Sequence, residues 1–233
     1  LISCGKHSSI YIVNLRRKYY ALKWFEVNGN EIYKSFLNEV FNRIIATESP
    51  HEAFLWPLLL CIGLNDLQSS SECSFDGIGY LMPLKQKSYI DSIQFIKSAN
   101  SINLKSLVRA CSNISKSIAC LHEKKMYHRD LSLNNILIDS LSGNIQICDN
   151  EFIGLGKSTN LSGLESRIQQ ALTGTPGFIA PEILNNSCHS QNTDNYSLAM
   201  IIYSLLTRSH INTSSSSLHW HKIDSLRIAG HQK

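Results

Sequence analysis

The spacing of apolar and polar positions divides the chain into a strand-rich beginning and a helix-rich remainder. Residues 1–25 read as a β-hairpin or a pair of strands, and Tyr20-Ala21-Leu22-Lys23-Trp24-Phe25 is a mostly apolar strand with one lysine inside it. Between Glu31 and Thr47, Leu37, Val40, Phe41, Ile44 and Ile45 recur at helical intervals and predict a helix with one apolar face. The runs Ala53–Leu64 and Gly77–Leu84 predict further strands, separated by a polar, serine-containing stretch over 65–76 that reads as an exposed loop. Leu104, Leu107, Val108, Cys111, Ile114, Ile118 and Leu121 predict a long amphipathic helix over 104–122. Gly143–Asp149 reads as a turn and an alternating strand ending in an aspartate. Asp194–Leu206 reads as a nearly all-apolar, and therefore buried, helix.

Composition changes this picture little. A chain of 233 residues, 43% hydrophobic and 17% charged, can bury a core as one large domain or two small lobes. A net charge of +4, spread along the chain, suits an anionic ligand and gives no argument for nucleic acid. The seven cysteines are scattered without a C-x-x-C pair and read as free thiols, which points to a reducing, cytoplasmic setting. The most apolar run, Ala53–Leu64, is about half the ~20 residues a membrane span needs, and Pro57 interrupts it. The first residue is Leu, so the chain reads as a fragment.

Candidate chemistry centres on His128-Arg129-Asp130-Leu131-Ser132-Leu133-Asn134-Asn135. Here a carboxylate able to accept a proton stands five residues before a side-chain amide. An apolar strand ending in Asp149 follows, and then Gly174-Thr175-Pro176-Gly177-Phe178-Ile179-Ala180-Pro181-Glu182. In this order the strings resemble the H-R-D-L-x-x-x-N catalytic loop, the metal-binding aspartate and the G-T-x-x-F-x-A-P-E closure of the protein kinase superfamily. Upstream, Ser3-Cys4-Gly5-Lys6-His7-Ser8-Ser9-Ile10 has the spacing of that family's glycine-rich loop but keeps only the middle glycine. Ala21-Leu22-Lys23 has the spacing of its strand lysine.

The resemblance implies an α+β, two-lobed fold: a small β-rich N-lobe with one main helix over 1–80, a hinge over 80–84 and a mostly helical, incomplete C-lobe over 85–206. Residues 207–233 form a tail without a recognisable match. It implies ATP and Mg²⁺ as cofactors and transfer of the γ-phosphoryl group to a protein Ser or Thr, with Thr175, whose hydroxyl can meet Asp130, the feature of Ser/Thr rather than Tyr specificity. Asp130 would be the base. Lys23 would grip phosphates and be steered by Glu39, with Glu31 a rival for that pairing. Ser3, Gly5, Ser8, Ile10 and Ala21 would line the nucleotide site, and Asn135 and Asp149 would hold the metal. Asp194 would anchor the catalytic loop or simply cap its helix, and Arg129 would meet an activation-segment phosphate or a structural partner.

Several positions depart from the pattern. Ser132 stands where such kinases carry a lysine near the γ-phosphate, which removes a positive charge from the developing negative one. Asp149-Asn150-Glu151 replaces D-F-G, losing an apolar plug and a glycine free to adopt positive φ. A group of bacterial kinase-like proteins is similar at this point. Arg43 stands one turn after Glu39, where an apolar residue is usual. These departures keep two alternatives open: a pseudokinase that binds nucleotide or scaffolds partners, and a small-molecule alcohol phosphotransferase.

Overall fold

The computed structural model describes residues 3–4, 8–27, 29–63, 76–98, 103–155, 174–184 and 188–209. Its architecture is two-lobed and α+β. The small lobe is a five-stranded antiparallel sheet, in the order β1 (Ser3–Cys4), β2 (Ser9–Leu15), β3 (Lys18–Glu26), β5 (Gly77–Pro83), β4 (Leu59–Ile62). One helix, α1 (Glu31–Ile45), packs on it; the Asn30 side chain caps its start by accepting the Tyr33 N–H at 2.9 Å. Leu37, Val40, Phe41 and Ile44 are buried, as their spacing predicts, and Phe41 stacks edge-on against Tyr80.

The register of this sheet places the cleft residues in rows. Ile10, Lys23 and Tyr80 are direct neighbours across β2, β3 and β5, and Ala21 stands opposite Met82. Cross-strand partners share a face, so these side chains converge on one side of the sheet.

The large lobe is built on α3 (Leu104–Glu123), whose Leu107, Ala110, Ile114, Ile118 and Leu121 are buried. The strand β9 (Ile145–Ile147) packs against it, in a three-stranded sheet with β8 (Ile136–Asp139) and β6 (Tyr89–Asp91), and the short α2 (Ser92–Lys97) lies against β6 and β8. A two-residue strand β7 (Met126–Tyr127) pairs with β10 (Gly154–Leu155). After a four-residue helix, α4 (Pro181–Leu184), the last described helix is α5 (Gln191–Thr207). In β8 the two-residue period sends Ile136 and Ile138 into the core and Leu137 toward the cleft.

Three sequence expectations change. Among the described residues of the 53–64 run, only Leu59–Ile62 forms a strand of the small sheet. Pro57 breaks the run, and the preceding segment crosses to β9, with Leu55 N–H donating to Ile147 O at 2.8 Å and Ile147 N–H to Ala53 O at 2.7 Å. Phe54 and Trp56 therefore enter the large-lobe core while Leu55, pointing the other way, enters the small-lobe core. This alternating segment joins the two apolar clusters. Helix α5 is buried on one side only, with Tyr203 50% and Leu206 53% exposed. It begins three residues before Asp194 and is capped by the Ser190–Thr193 box, so Asp194 is not its cap. Finally, positive φ falls on Asp149 (59°), not on Glu151; Asp is among the residues that tolerate this region best.

Candidate active site

Between the lobes lies a cleft of about 550 Å³, lined by residues from β2, β3, the β5 end, β8 and the segment after β9. Six of the sequence-predicted residues meet there: Ser8, Ile10, Ala21, Lys23, Asn135 and Asp149. Ile10, Ala21, Leu55, Met82, Leu84 and Leu137 give it an apolar middle, and Lys23, Asn135 and Asp149 a polar end. Ser3 lies in β1, its backbone paired with Ile10, and its side chain is outside the described residues, as is Gly5.

Asp130 sits beside the polar end on the loop after β7. Asn135 joins the two, its Nδ2 donating to the Asp130 carbonyl at 2.7 Å and lying 3.5 Å from Oδ2. The amide nitrogen is thus committed to the loop, which leaves the amide oxygen as the donor available to a cation. Thr175 Oγ1 donates to Asp130 Oδ1 at 2.7 Å, the contact expected from the G-T-x-x-F-x-A-P-E string.

The loop itself is held from below by Asp194, which is 1% exposed. Its carboxylate accepts the His128 N–H at 2.8 Å and the Arg129 N–H at 3.0 Å, and lies 3.0 Å from His122 Nε2. These bonds hold Arg129 in the left-handed region (φ 74°), a conformation that non-glycine residues keep only when neighbours enforce it. The Arg129 guanidinium is buried, donates to Phe152 O at 3.4 Å and lies against Gly154. Arg129 thereby packs on the start of the segment after Asp149.

Lys23 has different partners from those expected. Glu39 is exposed on α1, outside the cleft, and so is Glu31. The Lys23 ammonium instead meets Glu151 Oε1 at 2.5 Å and Asp149 Oδ1 at 2.9 Å. Glu151 is 2% exposed, and its other oxygen accepts the Tyr80 hydroxyl at 2.7 Å. Burial alone would lower the Lys23 pKa; the charges of Glu151 and then Asp149 overcome it and hold the ammonium above its ordinary value. Burial, followed by the Glu151 charge, pushes the Tyr80 phenol well up. Cys148, which also lines the cleft, has its thiol pushed up by burial and by Asp149.

The remaining departures also find physical roles. Asn150, in place of an aromatic plug, donates from Nδ2 to Leu55 O at 3.1 Å and Ile147 O at 2.9 Å, tying the inter-lobe segment to β9. Arg43 reaches from α1 to the Ile153 carbonyl at 2.6 Å, so this helix contacts the segment after Asp149 through a cation. Ser132 is fully buried, its hydroxyl without a partner among the described residues.

Sequence reasoning missed Glu151 and Tyr80. The signal is an acid standing two residues after Asp149 where a small residue is usual: the substitution adds an anion as well as removing a glycine. Nor did it find His122, since a histidine at the end of an amphipathic helix gives no sign of facing inward.

A profile of the protein kinase domain matches residues 82–232. The chain belongs to the protein kinase family. The match takes in residues 207–232, where motif reading alone carried no likeness. Among curated relatives, a probable inactive serine/threonine-protein kinase of Dictyostelium discoideum is 37% identical over 103 residues, covering 43% of this chain and 5% of that protein. A RasGEF domain-containing serine/threonine-protein kinase X of the same organism is 31% identical over 117 residues, 50% of this chain and 12% of that protein. Serine/threonine-protein kinase 33 of Bos taurus is 33% identical over 102 residues, 40% of this chain and 20% of that protein. The chain spans a fifth or less of the length of these three relatives. No described helix is long and apolar enough to cross a membrane.

Proposed function

We propose that the chain binds Mg-ATP in the inter-lobe cleft and transfers the γ-phosphoryl group to a serine or threonine hydroxyl of a protein, in the cytoplasm. One observation carries the reading: Lys23, Asn135 and Asp149 meet at the polar end of an apolar slot, with Asp130 bonded to Asn135 beside it. The slot between Ala21 and Leu137 suits a flat purine, whose edge would meet the backbone near Met82–Leu84. Lys23 would orient the phosphates. The hard oxygens of Asn135 and Asp149 fit Mg²⁺, which favours oxygen donors and keeps few protein ligands when phosphates complete its shell. When bound, that ion would neutralise charge on the phosphates.

Asp130 would orient the acceptor hydroxyl and take its proton. The Thr175 bond fixes one of its oxygens, supporting a peptide substrate over a small alcohol. Buried Ser132 supplies no cation to the transferring group, which predicts slow turnover. That feature, with the probable inactive relative, favours one second reading: a nucleotide-binding module without turnover.

The test is incubation with ATP labelled at the γ-phosphate and a mixed protein substrate. Wild type should label serine or threonine, and Asp130→Ala should lower the rate about 10²–10⁴-fold. Equal labelling by the two proteins would remove the enzyme reading; binding of Mg-ATP without any labelling would leave the second.

A further inference from the structure

Resting on that reading of the cleft, we propose that Glu151, not Glu39, is the positioning residue for Lys23, so that the ammonium is aimed by the segment after β9 and not by helix α1. Lys23, Glu151 and Tyr80 are 5%, 2% and 1% exposed, and both Glu151 oxygens are engaged, one by each partner. A carboxylate held at both oxygens cannot rotate to release its cation without leaving a buried hydroxyl unpaired. The register of β3 and β5 makes the arrangement possible, because Lys23 and Tyr80 are opposite one another and share a face.

The left-handed turn at Asp149 then sets two carboxylates, two residues apart, against the same ammonium. Glu151 keeps Lys23 beside Asp149, at the end of the cleft where phosphates and metal would lie. Helix α1 touches this segment by a different route, through Arg43 and the Ile153 carbonyl. Both carboxylates on the Lys23 ammonium thus come from the segment after β9, while α1 supports that segment through Arg43 and supports Tyr80 through Phe41.

The test measures Mg-ATP affinity of the whole chain by displacement of a fluorescent ATP analogue, without turnover. Glu151→Gln should raise Kd about tenfold or more, as expected for removing one partner of a buried charge pair. Glu39→Gln should change Kd less than about twofold, as for an exposed side chain. In a Lys23→Ala background Glu151→Gln should have no further effect, because a residue that acts through Lys23 then has nothing to position.

Tyr80→Phe keeps the charge pair and removes only the hydroxyl, and should cost about threefold, within the worth of one hydrogen bond, again only when Lys23 is present. That variant carries the test if Glu151→Gln does not fold. A loss with Glu39→Gln equal to that with Glu151→Gln, or a Glu151 or Tyr80 effect undiminished in the Lys23→Ala background, would overturn the proposal while leaving the proposed function standing. A wild-type chain that binds no Mg-ATP would overturn both.

Discussion

The two walls of the cleft are held by different forces. On the large-lobe side a polar network does the positioning: Asp194 grips two backbone N–H groups and faces His122, Asn135 bonds back to Asp130, and Thr175 closes on Asp130. On the small-lobe side the sheet and α1 pack through an apolar cluster that includes Phe25, Phe41, Ile78 and Tyr80, and the chemistry rests on one cation. That cation is tied across the cleft to Asp149 and Glu151. The difference teaches that geometry at the base is local to one lobe, whereas geometry at the phosphate grip exists only while both lobes stay together.

Breaking the large-lobe network should have the largest effect. Asp194→Ala would leave buried N–H groups and His122 without their acceptor, and should cost about 3–5 kcal/mol. A thermal melt would read this as a large fall in Tm; an unchanged Tm would mean that the loop is held by something else.

The small-lobe wall is best probed through its backbone. A Cβ at Gly79 would collide with the Lys23 carbonyl oxygen on the neighbouring strand. Gly79→Ala should push β3 and β5 apart at an overpacking cost of about 1–3 kcal/mol. It should also weaken Mg-ATP binding, while Asp194→Ala examined at low temperature should spare binding more than labelling. If both variants lowered affinity equally, the two walls would not be separable.

Thr175→Val removes one hydrogen bond to Asp130 and keeps the shape. Labelling should fall by about tenfold or less, in line with roughly 0.5–1.5 kcal/mol for such a bond, with Kd for Mg-ATP unchanged. A change in Kd would extend the network across the cleft.

The smallest effect lies at the edge of the small lobe. The Gly29 N–H, and then Lys34, hold the Asp76 carboxyl below its ordinary value of 3.8. The folded state therefore binds this proton less readily than the unfolded chain does. Its contribution to stability is present above the ordinary value and is lost as pH falls through the lowered one. Asp76→Asn should slightly lower stability at neutral pH, leave the acid end of the stability–pH curve nearly unchanged and so flatten the acid limb; a steeper acid limb would contradict the assignment.

Much of this was legible in the sequence because helix and strand periods, and strings such as His128–Asn135 and Gly174–Glu182, bind chemistry to local spacing. The apolar face of α1 and the core face of α3 follow from such patterns, and the meeting of Lys23, Asn135 and Asp149 was implied by the resemblance to protein kinases. What escaped depends on long-range register. The Lys23–Glu151 pair spans 128 residues and the Tyr80–Glu151 bond 71, and no local period encodes either. Reading Glu39 as the partner relied on a resemblance whose own D-F-G segment had already changed at Asn150 and Glu151. The crossing of Ala53–Trp56 to β9 escaped because a continuous apolar run does not say which lobe each side chain serves.

A crystal structure with Mg²⁺ and a non-hydrolysable ATP analogue tests the central claim most directly. The account predicts the purine against Met82–Leu84, the phosphates within reach of Lys23 with Glu151 still at its side, and the metal between Asn135 and Asp149. A nucleotide bound outside this cleft, or none at saturating concentration, would contradict it.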